Sequence, residues 1–249
     1  MLEIKNLSVC RGKRTVLDDV TLTVTPHKLT ALIGKNGCGK STLVSCINQT
    51  APYIGEISFS GRNLALMRPK ERACLLSFLP QTLFIPHVTV SELVTMGRSP
   101  YVDIGKHLTP RDREAVRDAI FAVKMEAFSN RYLDELSGGE RQKAYLAMTL
   151  AQDTRVMILD EPTTYMDMAY EHAFLDLLDS MKRHRKKTLL VVMHNLNQAV
   201  RYADRLTVLD GGKIVFDGET SDCIQSGVIE RVFGVRRYTA EERTFFSAE

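Results

Sequence analysis

GKNGCGKST, residues 34–42, is the stretch that decides the fold of this chain; its members are Gly34, Lys35, Asn36, Gly37, Cys38, Gly39, Lys40, Ser41 and Thr42. It has the form G-x-x-x-x-G-K-[ST]. An apolar run over 29–33 precedes it, and a run compatible with a helix over 41–48 follows it. A strand, a glycine loop and a helix in this order form the context in which such a loop holds phosphate. A chance glycine-rich turn is the alternative, and both flanks argue against it.

The residue types of this loop predict a nucleoside triphosphate site. Glycines let the backbone wrap so that successive N–H groups point inward at phosphate oxygens. The N-terminus of the following helix adds its partial positive charge. Lys40 supplies a cation for the β- and γ-phosphates, and the hydroxyl of Ser41 supplies a ligand for Mg²⁺.

Length and charge limit the class of protein. The 249 residues suit one large domain, or one domain with a sizeable insertion. A formal net charge of +3 argues against a nucleic-acid-binding protein, which usually carries a concentrated basic patch. The basic run at 182–187 follows a helical pattern, so we interpret it as a solvated helix end. A contact with acidic lipid headgroups is the alternative interpretation.

Cysteine usage and hydropathy bear on location. The five cysteines are odd in number and form no C-x-x-C pair, which favours free thiols in a reducing cytosol. The first residues already form a strand-like pattern, so we expect no signal peptide. No apolar run approaches the ~20 residues of a membrane helix. If the protein works at a membrane, we expect another chain to span it.

Hydrophobic periodicity predicts an α/β fold. Alternating residues over 2–9 and 20–24 indicate half-buried strands, and Gly12 lies in the turn that follows the first of them. Further strands are predicted at 56–60, 75–79, 156–159, 189–193, 205–209 and 213–216. Helices are predicted within 88–151, at 167–184 and, as short pieces, over 221–233. This order predicts a three-layer core with a helical subdomain at roughly 85–150.

A second motif, VMILDEPT at 156–163, ends a buried strand in two acids. Asp160 can hold Mg²⁺ through water, and Glu161 can act as general base for the attacking water. An acidic pair that only keeps a loop soluble is the alternative, and the phosphate loop upstream argues against it.

A third motif, LSGGE at 136–140, predicts a second anion-binding helix start. Ser137 caps a helix, and Gly138 and Gly139 expose backbone N–H groups beside Glu140. One γ-phosphate seldom needs two such loops from one chain. We therefore expect each loop to serve a different copy, so that two subunits face head to tail and bury two ATP molecules.

On these three motifs the chain resembles the nucleotide-binding subunits of ABC transporters over nearly all of its length. The resemblance implies ATP and Mg²⁺ as cofactors and a homodimer of ATPase subunits. It also implies the ABC ATPase fold: a three-layer P-loop ATPase core with an antiparallel β subdomain and a helical subdomain. A single domain over 1–249 would then have its core at about 1–84 and 152–249 and its helical subdomain at about 85–151.

The resemblance also implies roles for single residues. Gln81 matches the Q-loop glutamine, which touches Mg²⁺ and senses the permease. Asp167 matches the D-loop aspartate, which crosses the dimer interface, and His194 matches the switch histidine that contacts the γ-phosphate. Glu161, His194 and Gln81 would then act in catalysis. The metal ligands would be Ser41, Gln81 and Asp160.

Three stretches, at 94–101, 163–170 and 232–235, resemble the ATPases of iron–siderophore, haem and vitamin B12 importers. That branch works at the cytoplasmic face of the cell membrane as a peripheral subunit. Its partners are an integral-membrane permease pair and a separate substrate-binding protein, with no nucleic acid. We expect the permease to dock on the segment 81–101, where Phe84, Ile85 and Val88 are the candidate contacts. Ordinary core packing is the alternative role for these three side chains.

The chain departs from the family pattern at three positions. Arg11 stands where an aromatic residue usually stacks on adenine; its guanidinium can stack on a base, or it is a solvated turn residue. Asn195 follows the switch histidine where this branch often has Asp. Cys38 lies in the phosphate loop, so we predict that a bulky thiol reagent inactivates the enzyme and that ATP protects it.

Three rival classes remain open. A soluble ABC ATPase acting on DNA or ribosomes would need a long coiled coil or two ATPase halves, and the sequence has neither. An ABC ATPase for another cargo, such as manganese, zinc or an exported lipid, shares the same motifs. A P-loop kinase for a small molecule would leave LSGGE unexplained.

Overall fold

The computed structural model of the chain describes residues 1–103, 105–164, 166, 168–240 and 243–248. It forms two compact units. The strand-rich unit comprises Met1–Met67 with Thr188–Glu249, and the inserted unit comprises Arg68–Lys187. This division differs from the sequence-based subdomain at 85–151, which stays a prediction.

The strands, in chain order, are β1 (Leu2–Arg11), β2 (Arg14–Val24), β3 (Leu29–Ile33), β4 (Ile54–Phe59), β5 (Arg62–Asn63), β6 (Leu76–Leu79), β7 (Val156–Asp160), β8 (Thr188–Val192), β9 (Arg205–Asp210), β10 (Lys213–Glu219), β11 (Val235–Ala240) and β12 (Arg243–Ala248). The helices are α1 (Lys40–Ile47), α2 (Pro69–Ala73), α3 (Val90–Met96), α4 (Pro110–Ala122), α5 (Gly138–Ala151), α6 (Met168–Arg185), α7 (Leu196–Tyr202), α8 (Thr220–Gln225) and α9 (Val228–Phe233). Short 3₁₀ turns at 64–66, 99–101, 126–128 and 133–135 complete the described elements.

An antiparallel sheet opens the strand-rich unit, in the order β2-β1-β4-β5. The predicted alternation of the first strand is confirmed on either side of an irregularity: Leu2 and Ile4 are buried, and after Asn6, whose φ is 49°, burial resumes at Leu7 and Val9. The second strand begins at Arg14, earlier than its alternating residues at 20–24 predicted. The reason is the tight turn at Gly12, which pairs Arg11 with Arg14 and extends the hairpin.

The second sheet of this unit places β8, β3, β9 and β10 side by side. The central strand β3 is buried at every position and is parallel to both of its neighbours. A parallel strand covered on both faces needs a nearly continuous apolar run, and here only Thr30 interrupts it. Since the carboxyl ends of parallel strands meet at one edge, the loops after β3 and β8 leave the sheet together. The backbone bond from the N–H of Met193 to the carbonyl of Leu32 spans 3.1 Å at this edge.

In the inserted unit, β6 and β7 are parallel, and Leu79 is opposite Leu159. Helices α3, α4 and α5 pack together in the same unit. Helix α4 begins with a strong local signal: Thr109 caps it, and Pro110 occupies its first turn. A buried ion pair fastens these helices, because Arg98 reaches Asp112 at 2.7 Å and also donates to the carbonyl of Ala151 at 2.7 Å.

The basic run at 182–187 covers the last turn of α6 and the two residues that follow it, and its cations are more engaged than a solvated helix end requires. Lys182 lies 2.9 Å and Arg183 2.8 Å from the carboxylate of Asp179. Lys187 forms an ion pair with Asp153 at 2.7 Å. Within the described part of the chain, none of the helices has the length and apolar character that crossing a bilayer requires.

Candidate functional site

Two glycines of the glycine loop in the strand-rich unit leave no room for a side chain. Gly39 has φ of 113°, and an added Cβ would lie 2.7 Å from Cδ2 of Leu17. A Cβ on Gly34 would lie 2.2 Å from the carbonyl oxygen of Leu209. Both approaches are closer than real Cβ atoms tolerate. The loop is therefore held in shape by the sheets against which it packs.

The ammonium group of Lys40 lies inside this loop. The residue is only 5% exposed, and its Nζ donates to the carbonyl oxygens of Gly34 at 2.7 Å and Lys35 at 3.1 Å. Helix α1 begins at this lysine, and its cap residue, Gly39, offers no side-chain acceptor. The first-turn N–H groups are thus not capped by a side chain, and an anion is the natural acceptor for them. The loop combines a positioned cation with backbone donors, as a phosphate site requires.

The other loop residues differ in exposure. Lys35, Asn36, Gly37 and Ser41 are exposed and Thr42 is half-buried. Cys38 is buried, and burial raises the pKa of its thiol above the usual value of 9.0, with the nearby charge of Lys40 opposing this rise. The Cys38 side chain faces the glycine turn, because a Cβ on Gly34 would lie 2.7 Å from its Sγ. Because the thiol is buried, a bulky reagent can reach it only when the loop opens.

His194 leaves the same sheet edge as the glycine loop. It is exposed and follows β8 directly. The next residue, Asn195, caps α7, since its Oδ1 accepts from the N–H groups of Asn197 at 3.0 Å and Gln198 at 3.3 Å. Asn195 thus fills the capping role that Asp would fill. Arg11 ends β1 and is exposed beside the tight turn at Gly12.

The inserted unit brings three predicted residues together at the carboxyl ends of its parallel strands β6 and β7. Nε2 of Gln81, after β6, donates to Oε2 of Glu161, after β7, at 2.5 Å. Asp160 is 6% and Glu161 8% exposed. Glu161 also has φ of 51°, a left-handed conformation that a residue with a side chain adopts at a cost. Such strain is typical of functional sites, and here it coincides with the predicted general base.

The LSGGE motif starts α5 with a capping box. The N–H and the hydroxyl of Ser137 each donate to Oε2 of Glu140 at 2.8 Å, and the Glu140 N–H donates back to Oγ at 3.3 Å. These bonds from Ser137 hold the pKa of Glu140 below its usual range. The sequence-based prediction that Ser137 caps this helix is confirmed.

A pocket of about 300 Å³ lies at this helix start. Its lining consists of Ser137, Gly138, Gly139, Glu140, Lys143, Met166 and Tyr170. Nζ of Lys143 lies 4.1 Å from the centre of the Tyr170 ring, a cation–π contact. Sequence reasoning did not select Lys143 or Tyr170. The available signal was helical spacing, because Lys143 follows Glu140 by three residues on the same face of α5.

The segment after Gln81 is tied to α5. The hydroxyl of Tyr145 donates a hydrogen bond to the carbonyl oxygen of Phe84. The Phe84 side chain is 77% and that of Ile85 43% exposed, whereas Val88 is half-buried. For Phe84 and Ile85 this exposure favours a docking contact over core packing.

Each unit therefore carries its own part of the predicted set. The strand-rich unit holds the glycine loop, Arg11 and His194, and the inserted unit holds Gln81, Asp160, Glu161 and the residues at 137–140. Asp167 lies outside the described residues.

The donors predicted for Mg²⁺ are the hydroxyl of Ser41, the amide oxygen of Gln81 and a carboxylate oxygen of Asp160. Hard oxygen ligands of this kind suit Mg²⁺, which usually keeps waters and phosphate oxygens as its other ligands. Among the residues with described positions, no three His, Cys, Asp or Glu side chains form a metal cluster. The residues fit an ion held largely by the nucleotide.

The chain is similar to known proteins over most of its length. The family described as ABC transporter matches residues 17–164. The ferric enterobactin transport ATP-binding protein FepC of Escherichia coli is 38% identical over 93% of this chain and 86% of its own length. The hemin import ATP-binding protein HmuV of Vibrio anguillarum is 33% identical over 98% of this chain and 94% of its own length.

Among solved structures, a metal-chelate type ABC transporter in an inward-facing conformation superposes with a TM-score of 0.83 at 24% identity. The match covers 98% of this chain and 95% of that chain. This likeness confirms the predicted fold class. The chain belongs to the ABC transporter family, and it is an ATP-binding ATPase subunit of that family.

Proposed function

We propose that this protein energises the import of an iron–siderophore complex through a membrane permease. The observation that carries the proposal is the 38% identity to the ferric enterobactin ATPase over 93% of the chain. Identity to the hemin ATPase is lower, at 33%. Haem and vitamin B12 remain the alternatives within the same branch.

The roles of the site residues follow from their chemistry. The residues at 34–42 hold the phosphates of ATP through backbone amides and the buried ammonium of Lys40. Arg11 stacks on the base. Ser41, Gln81 and Asp160 would hold Mg²⁺, which would supply positive charge beside the phosphates.

Glu161 acts as general base toward the attacking water. The hydrogen bond from Gln81 orients the carboxylate of Glu161, and its buried surroundings exclude other waters. His194 contacts the γ-phosphate from the sheet edge that also carries the glycine loop. Positioning and charge stabilisation then supply most of the acceleration of phosphoryl transfer.

The pocket at the start of α5 serves the ATP of a second copy of the chain. Ser137, Gly138, Gly139 and Glu140 line this pocket, and its helix start suits a γ-phosphate. Asp167 would cross the interface of this homodimer. Two subunits facing head to tail then bury two ATP molecules, and hydrolysis opens the dimer by removing the phosphate that joins them.

The permease pair docks on the exposed side chains of Phe84 and Ile85. The bond from Tyr145 to the backbone of Phe84 links this docking segment to the helix that begins at the LSGGE motif. We place the protein at the cytoplasmic face of the membrane as a peripheral subunit, with a separate substrate-binding protein and no nucleic acid. The division into a core at about 1–84 and 152–249 and a helical subdomain at about 85–151 is part of this proposal.

The test is to purify the tagged protein from its native membrane in mild detergent and to identify what accompanies it. We expect a multi-helix permease, and we expect iron–siderophore uptake to stop in cells with Glu161→Gln. If uptake of manganese or zinc stops instead, that metal is the cargo and the siderophore proposal is wrong. Recovery with ribosomes or DNA only would overturn the importer function and leave the ATPase intact.

A further inference from the structure

The described hairpin formed by β11 and β12 is attached to α7 by one side chain. Nδ2 of Asn197 donates to the carbonyl oxygen of Phe246 at 3.2 Å, and the Phe246 N–H donates to Oδ1 of Asn197 at 2.7 Å. The amide thus satisfies both backbone groups of Phe246, as a neighbouring strand would. Two hydrogen bonds to one residue fix the orientation of the Asn197 amide relative to β12 as well as its distance from that strand.

Packing supports this attachment. Phe246 is only 6% exposed, whereas Tyr238 and Phe245 on the other face of the hairpin are 52% and 43% exposed. Strand alternation explains the contrast, since neighbouring residues point to opposite faces. Arg237, opposite Phe246, donates to the carbonyl oxygen of Ile224 at 2.6 Å. The hairpin is therefore anchored at α7 and again near the end of α8.

Asn197 is also connected to the loop that carries His194. Its backbone N–H donates to Oδ1 of Asn195, the residue next to the histidine. The imidazole of His194 is exposed, and the backbone that carries it sets which positions the ring can reach. That backbone is held on one side by β8 and on the other by the first turn of α7.

We propose that Asn197 is a positioning residue for His194. Asn197 ties the first turn of α7 to the hairpin, and the hairpin serves as the fixed support. This rests on the proposed role of His194 at the γ-phosphate. A small displacement of a group that contacts the reacting phosphate slows the chemical step more than it weakens nucleotide binding.

The first test is Asn197→Ala in the full-length protein. We expect kcat for ATP hydrolysis to fall about tenfold while KM for ATP changes less than about twofold. The imidazole NMR resonances of His194, assigned with His194→Ala, should shift or broaden. Arg201→Ala, in the last turn of the same helix, is the matched control and should change neither readout. If Asn197→Ala does not fold, Asn197→Asp replaces it, since its carboxylate keeps the acceptor for Phe246 but loses the donor.

The second test is a double-mutant cycle. Phe246→Ala removes the buried anchor of the hairpin and should lower kcat in the wild-type background. In the Asn197→Ala background it should have little further effect, because both changes release the same support.

Two failures are distinguishable. ATP hydrolysis at the wild-type rate in His194→Ala would refute the proposed role of His194. Unchanged His194 resonances in a folded Asn197 variant would separately refute the positioning role of Asn197. Wild-type kcat in that variant, with His194→Ala inactive, would also overturn the inference.

Discussion

Gln81 and Glu161, which follow two neighbouring parallel strands, are joined by a hydrogen bond of 2.5 Å from the amide Nε2 to the carboxylate Oε2. The amide oxygen of Gln81 stays available as a ligand while its nitrogen orients the proposed base. The residue proposed to sense the permease is therefore in direct contact with the residue proposed to act in hydrolysis. A movement of the segment after β6 would shift the Glu161 carboxylate directly, through this hydrogen bond.

Glu161→Gln should keep ATP binding and slow hydrolysis by roughly 10²–10⁴-fold, the usual contribution of a general base. The amide has nearly the shape of the carboxylate but cannot accept a proton from water. Steady-state ATPase rates and nucleotide binding, measured on the same preparation, check this. Glu126→Gln, at an exposed position of the inserted unit, is the control. Turnover at the wild-type rate in Glu161→Gln would refute the assigned role.

Gly39→Ala should lower ATP affinity by about 10²-fold or more, because a Cβ would meet Leu17 at 2.7 Å in a backbone with φ of 113°. Titration with a fluorescent ATP analogue measures the change. Gly61→Ala is the matched control: φ there is 78°, but no atom lies within 4 Å of the added Cβ. If Gly39→Ala binds ATP with unchanged affinity, the loop relaxes around the added methyl group and the prediction is wrong.

Cys38 should react slowly with a bulky maleimide, and reaction should inactivate the enzyme. Burial raises the pKa of this thiol above 9.0, and only the thiolate attacks. The rate should therefore rise with pH up to and beyond 9.0, where ordinary exposed thiols level off. Mass spectrometry of labelled peptides, with exposed Cys10 as the internal reference, follows both sites. Full activity after complete labelling of Cys38, or labelling that ATP does not slow, would contradict this.

Asp112→Ala should destabilise the protein by about 3 kcal/mol, because it leaves the guanidinium of Arg98 buried without its carboxylate. Urea unfolding measures the loss, and Asp118→Ala, exposed on the same helix, should change stability little. Hydrogen bonds from Thr109 and the Arg98 guanidinium hold the pKa of Asp112 below its usual 3.8, despite the opposing effect of burial. Its contribution is therefore complete above that value and is lost as the pH falls through the lower folded-state pKa. Equal stabilities of the two variants would show that the pair is dispensable.

Phe84→Ser should reduce transport strongly while the basal ATPase rate of the isolated protein changes little. The side chain is 77% exposed, so its removal costs few contacts within the chain. Transport in cells and co-purification of the permease are the measurements. Phe121→Ser, 70% exposed in the same unit, is the control and should leave transport unchanged. Equal effects of the two changes would remove Phe84 from the docking surface.

Most elements near the site follow patterns that operate over a few residues. The burial of β3 and β8 follows from mainly apolar runs, and the starts of α4 and α5 follow from local capping at Thr109 and Ser137. The C-terminal hairpin was not predicted. Its strands carry charged and aromatic residues on the exposed face, so their alternation signals little burial, and its hold on the molecule comes from distant Asn197.

The sequence by itself determined the phosphate loop, the acidic pair after β7 and the capped LSGGE helix, because glycine conformation, strand ends and helix caps depend on neighbouring residues. Only the tertiary structure decided which distant groups meet: Gln81 with Glu161, Tyr145 with the backbone of Phe84, and Asn197 with Phe246. These contacts join residues that lie between 49 and 80 positions apart in the chain. Their formation depends on strand pairing and core packing, which no local pattern encodes.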